Sequence, residues 1–120
     1  MARVLVVDDS DQLRRLFRTI LSAEGHEVVE AANGAEALHT LRTDVVDVML
    51  LDHSMPEMSG LEVLQLLRGL KLAYEPSVLM ITALHSAELS ARARELGVKD
   101  FILKGTFSNE ELVRKVHAAA

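Results

Sequence analysis

Asp8, Asp9, Asp52, Thr82 and Lys104 are the residues of this 120-residue chain whose types and placement have the chemistry to handle a phosphoryl group. Three carboxylates in one pocket repel one another unless a cation neutralises them. Oxygen donors with no imidazole or thiolate beside them suit a hard ion such as Mg²⁺. Such an ion would bridge Asp8 or Asp9 and Asp52, filling its shell with waters and a backbone carbonyl near Ser54. Lys104 offers a mobile positive charge for a phosphoryl oxygen, and Thr82 a hydroxyl donor. Together they form a kit for placing a phosphoryl group on a carboxylate, where electrostatic stabilisation outweighs proton transfer. Asp52 is the expected nucleophile. Each residue also has a plain alternative: Asp8, Asp9 or Asp52 as a turn or helix cap, Thr82 satisfying a nearby carbonyl, Lys104 solvated.

The elements that must position them follow from hydrophobic periodicity. Arg3 to Val7 reads as a short apolar strand ending on Asp8 and Asp9. From Asp11 the period changes, with Leu13, Leu16, Phe17, Ile20 and Leu21 on one helical face that ends near Gly25. His26 to Ala31 holds a second strand, and Asn33 with Glu36 reads as a capping box for a helix carrying Ala37, Leu38 and Leu41. Val45 to Leu51 is nearly all apolar, as expected of a central parallel strand buried on both faces, and it ends on Asp52. Ser59 with Glu62 opens a helix bearing Leu61, Val63, Leu64, Leu66 and Leu67, which Gly69 interrupts. Val78 to Ile81 is a fourth strand ending in Thr82. Ser86 and Glu88 begin a helix with sparse apolar residues, a face reserved for a partner or loosely packed. Phe101 to Leu103 is a fifth strand followed at once by Lys104, and the last helix starts near Ser108.

Five βα units with connections too long for hairpins predict an α/β fold, a doubly wound parallel sheet of order 2-1-3-4-5. Ligands of such sheets sit at the carboxyl ends of the strands, where the acidic residues, Thr82 and Lys104 all fall. The length fits one domain, 1–120, with no output domain within it. No cysteine is present, which excludes disulfide and thiolate chemistry. Although 49% of residues are hydrophobic, no apolar run reaches bilayer length and the start is not a signal peptide, so a cytoplasmic location is expected. A formal charge of -5 and few aromatics argue against direct nucleic-acid binding.

With VLVVDDS, VMLLDHSMPEMSGLEVL, MITA and DFILK in place, the chain resembles the receiver domains of the two-component response-regulator family from Arg3 to His117. The Asp-x-x-Met-Pro-x-Met-x-Gly segment is specific when found with the other three. The resemblance implies phosphorylation of Asp52 by a histidine kinase or histidine phosphotransfer protein. It implies Mg²⁺ held by Asp8, Asp9, Asp52 and the Ser54 carbonyl, and a switch pair, Thr82 and Phe101, acting on the face of helix 4, strand 5 and helix 5. The resemblance implies that this face serves an effector or a homodimer; Arg92, Arg94, Asp100, Arg114 and Lys115 are paired charges across it or a solvated surface, and Phe101 is a switch or simply core. The family's lysine is usually followed by a cis proline, but here by Gly105. A cis bond without proline costs about 2.5 to 4 kcal/mol, so a trans bond or a rearranged loop is expected. Leu84 cannot orient a hydrolytic water, which implies slow loss of the phosphoryl group. The competing readings are a magnesium-dependent aspartyl-phosphate phosphatase, which would want a second aspartate where Ser54 stands, and an interaction module that never takes phosphate. A flavin carrier of the same sheet order would want a hydroxyl-rich loop in place of Asp8 and Asp9.

Overall fold

The computed structural model describes residues 1–84 and 86–120. Five strands, β1 (Arg3–Val7), β2 (Glu27–Ala31), β3 (Val48–Asp52), β4 (Ser77–Thr82) and β5 (Val98–Leu103), alternate with five helices. These are α1 (Asp11–Ala23), α2 (Gly34–Thr43), α3 (Gly60–Gly69), α4 (Ala87–Glu95) and α5 (Asn109–Ala119). All pairings are parallel and the sheet order is β2-β1-β3-β4-β5, as the sequence predicts.

Side-chain alternation along the strands divides the core into two layers. Leu5, Val7, Met49, Leu51 and Met80 face α2, α3 and α4, where they meet Leu41, Val63, Leu64, Leu67 and Ala93. Val4, Val6, Val48, Leu50, Leu79, Ile81 and Ile102 face α1 and α5, against Phe17, Leu21, Leu112 and Val116. Every residue of β3 is buried, which marks it as the central strand.

The starts of β3 and β5 differ most from the sequence expectation. β3 begins at Val48 rather than Val45, because Val45 is exposed and Asp47 turns its carboxylate onto the Arg3 N–H at 2.8 Å. β5 begins at Val98 rather than Phe101: a shift in the β4–β5 register between Val78 and Leu79 inserts an extra residue, so that Val98 and Phe101 lie in the same core layer. Local chemistry sets the helix starts. Ser10, Asn33, Ser59, Ser86 and Ser108 each accept a backbone N–H of the first turn, and Ser59 with Glu62 forms a complete capping box. Glu36 reaches instead to the Ala32 N–H at 2.9 Å, so the box expected at Asn33 is only half formed. Gly25 and Gly97 adopt positive φ just past the ends of α1 and α4. Among the described residues no helix is long and apolar enough to cross a membrane.

Candidate functional site

At the carboxyl edge of the sheet β1 delivers Asp8 and Asp9, and β3 delivers Asp52. Asp8 and Asp52 are fully buried while Asp9 is exposed, and carboxylate oxygens of all three lie within 4.8 Å of one another. Each buried carboxylate has one oxygen fixed by its own turn. Asp8 Oδ1 accepts the Ser10 N–H at 2.9 Å, and Asp52 Oδ1 accepts the Ser54 N–H at 3.4 Å. Among the described residues the second oxygens, Asp8 Oδ2 and Asp52 Oδ2, accept no close hydrogen bond, Lys104 Nζ standing 3.5 Å from Asp8 Oδ2. Buried oxygens left unsatisfied are costly. Two such atoms beside a third carboxylate form a donor set that fits a hard divalent cation.

Lys104 enters from the end of β5. Its backbone N–H donates to the Thr82 carbonyl at 2.9 Å, extending the β4–β5 ladder by one residue. Its Nζ lies 3.0 Å from Asp52 Oδ1 and 3.5 Å from Asp8 Oδ2. The described residues contain no cis peptide, so the Lys104–Gly105 bond is trans, and Lys104 reaches Asp52 without a following proline. Burial pushes the Asp52 carboxyl up to about 6, against the opposing contact with Lys104 and with help from the charge of Asp8. Burial raises Asp8 as well, despite the Ser10 N–H and Lys104. For Lys104 burial works downward, but its contacts with Asp52 and Asp8 outweigh it and hold the ammonium above its ordinary value. The cluster therefore carries a strain of like charge in the absence of a cation, and Lys104 offsets only part of it.

Thr82 is buried at the end of β4, beside Lys104. Its hydroxyl donates to the Leu84 carbonyl at 2.8 Å and accepts the Leu84 N–H at 3.3 Å, so it is engaged with the loop after β4. Ser54 is exposed on the loop leaving Asp52. Phe101 is buried in the layer facing α4, with the Arg94 guanidinium 5.3 Å above its ring and its carbonyl accepting from Lys115 Nζ at 2.6 Å. The charges expected on that face pair partly within the chain: Lys115 contacts Glu111 at 3.2 Å and Asp100 at 3.6 Å. Arg92 and Arg114 are exposed.

Two residues that shape the site escape a reading by chemistry alone. Gly60 packs so tightly that a Cβ there would lie 2.6 Å from the Asp52 carbonyl oxygen. Its place in the Met-Pro-x-Met-x-Gly segment is the signal that could have found it. Arg14 donates from Nη1 to the Asp8 carbonyl at 2.5 Å. The signal for Arg14 is positional only, a basic residue one turn into the helix that follows the acidic pair. A cavity of about 530 Å³ lined by Ser10, Gln12, Leu13, Leu16 and Lys104 adjoins the site, whereas the wider groove between α1 and α5, about 730 Å³, is lined by none of the site's residues.

Residues 4–117 match the family model described as the response regulator receiver domain. The chain belongs to this family. Curated relatives of this receiver include the transcriptional regulatory protein CpxR of Escherichia coli, 36% identical over 98% of the chain and 49% of the relative. KdpE of Mycobacterium tuberculosis is 34% identical over 99% and 51%. The chain spans about half the length of the curated relatives it matches. Among solved structures, the chemotaxis protein CheY4 of Vibrio cholerae superposes with a TM-score of 0.92 at 32% identity, covering all of this chain and 99% of that one. The response regulator TrrA of Thermotoga maritima, solved with Mg²⁺ and BeF, gives a TM-score of 0.84 at 32% identity with both chains fully covered.

Proposed function

We propose that this receiver takes a phosphoryl group onto Asp52 from a phosphohistidine, in a Mg²⁺-dependent step of a two-component phosphorelay. The observation that carries the reading is Asp52 itself, a fully buried carboxylate with one oxygen 3.0 Å from Lys104 and the other without a donor among the described residues. An Asp52 oxygen attacks phosphorus and forms an acyl phosphate. The donor's P–N bond breaks, its electron pair returns to the imidazole, and the leaving ring takes a proton. Asp8, Asp9, Asp52 and the Ser54 carbonyl would hold Mg²⁺. When bound, the ion supplies positive charge against the phosphoryl oxygens. The TrrA structure, with Mg²⁺ and a BeF group, supports this assignment at the level of the family. Lys104 orients the incoming phosphoryl group through a charge-assisted hydrogen bond and remains protonated throughout.

Thr82 supplies the coupling in this reading. Its hydroxyl, now donating to Leu84, turns to the new phosphoryl oxygens and releases the loop that leads into α4. Phe101 is already inside the core, so the coupling begins with the loop and not with the ring swinging inward. The output is a changed α4–β5–α5 face, read by an effector or a second copy of the chain. A phosphodonor kinase or phosphotransfer protein is the upstream partner. Residues 1–120 form one receiver unit acting only on its own aspartate, since Ser54 offers no carboxylate for external turnover. Addition of beryllofluoride and Mg²⁺ to ¹⁵N-labelled protein tests the reading. The amides of Asp52, Ser54, Leu84 and Lys104 should shift together and saturably, and Asp52→Asn should remove the response. Unchanged wild-type spectra would contradict it.

A further inference from the structure

The Asp8 carboxylate can present one oxygen to the site only if the rest of Asp8 is held, and its partners account for nearly every polar atom. Its N–H donates to the Ala31 carbonyl at 3.2 Å, continuing the ladder onto β2, and its Oδ1 accepts the Ser10 N–H at 2.9 Å. The remaining backbone atom, the Asp8 carbonyl, accepts from Arg14 Nη1 at 2.5 Å. Arg14 is itself tightly placed, with only 11% of its side chain exposed. Its Nε donates to Glu30 Oε1 at 3.0 Å, its Nη2 to Asp11, and the other Glu30 oxygen accepts from Arg18 Nε at 2.6 Å. A planar fork used on three acceptors at once fixes the guanidinium's position in a way that an ammonium cannot.

We propose that Arg14, anchored by Glu30 and Asp11, is a positioning residue for the cation and phosphoryl site, fixing the Asp8 carbonyl so that Asp8 Oδ2 is presented to Lys104 and Asp52. This inference rests on the Mg²⁺-holding reading above. Charge alone makes the opposite prediction. A guanidinium bonded to the Asp8 carbonyl repels a divalent cation held at Asp8, so on purely electrostatic grounds its removal would tighten Mg²⁺ binding. Positioning predicts weaker binding, because partners behind a ligating group typically contribute about tenfold or more to metal affinity.

Isothermal titration with Mg²⁺ alone separates the two. Arg14→Ala and Arg14→Lys should each bind Mg²⁺ about tenfold more weakly than wild type. Arg14→Lys, which keeps the positive charge but lacks the planar fork, decides the matter if Arg14→Ala fails to fold. Hydrogen exchange at the Ser10 amide, without metal, should be faster in Arg14→Ala, because the Asp8 turn is no longer held. Unchanged or tighter Mg²⁺ binding in Arg14→Ala, or full rescue by Arg14→Lys, would overturn the proposal. If wild type gives no saturable Mg²⁺ signal, the Mg²⁺ reading fails on its own. The Ser10 amide then decides: faster exchange in Arg14→Ala upholds the positioning role and unchanged exchange overturns it.

Discussion

Asp52 is held in the fold at the expense of its own ionisation. Its carboxyl, ordinarily near 3.8, is pushed up to about 6 by burial. A raised value means that the group's contribution to folding is fully present below about pH 4 and is lost as pH rises through 6. At neutral pH the ionised, metal-free carboxylate therefore costs on the order of 1 to 3 kcal/mol. Asp8, also raised by burial, acts in the same direction. Urea unfolding in the presence of a chelator should show Asp52→Asn more stable than wild type at pH 8, with the difference vanishing toward pH 4. Equal stabilities at pH 8 would show that the buried charge is relieved in some other way. Glycines give a paired check on the backbone around the site. Gly60→Ala forces a Cβ to within 2.6 Å of the Asp52 carbonyl oxygen, and such overpacking costs about 1 to 3 kcal/mol. Gly105→Ala meets nothing within 4 Å and involves no positive φ, so it should leave stability unchanged or raise it by about 0.4 to 1 kcal/mol. Denaturant midpoints of the two variants distinguish a packed glycine from an incidental one. The acidic residues and Lys104 were legible in the sequence because each follows directly on an apolar strand. The partners of Arg14 and the hydroxyl direction of Thr82 were not, since both depend on atoms brought together only by the fold.

At the scale of elements, the Thr82 side chain ties Leu84, on the loop after β4, to the site. Thr82 both donates to and accepts from Leu84, and its own carbonyl takes the Lys104 N–H. Thr82→Ala should leave Asp52 open to modification while raising the exchange rate of the Leu84 amide in the unmodified protein. Phosphorylation should raise the Leu84 rate in wild type and leave it nearly unchanged in the variant. If wild type and variant respond alike, Thr82 is not the coupling residue. Helix starts were easily read from Ser59 with Glu62 and from Ser108, because capping is local chemistry. The start of β5 was not, because the residue inserted before Phe101 reflects pairing with β4, and no local pattern records it. That insertion puts Phe101 into the layer facing α4, beneath Arg94, where packing determines its position.

The whole molecule answers to the same electrostatics. The order β2-β1-β3-β4-β5 was legible because right-handed crossovers leave few ways to wind five parallel strands; the parallel direction brings residues 8, 52, 82 and 104 to one edge, and the order sets β1 beside β3 and β4 beside β5. Cation binding to the folded state stabilises it by mass action, about 1.4 kcal/mol at a tenfold excess over Kd. Mg²⁺ should therefore raise the melting temperature at pH 7.5 and have less effect at pH 4, where the Asp52 carboxyl, pushed up to about 6, is protonated. The most direct test of the central claim is intact mass after exposure to a small phosphodonor, with and without Mg²⁺, followed by mapping of the modified residue. A gain of one phosphoryl group on Asp52, dependent on Mg²⁺ and absent in Asp52→Asn, is the predicted result. An unmodified wild-type chain, or a phosphoryl group mapped to another residue, would contradict it.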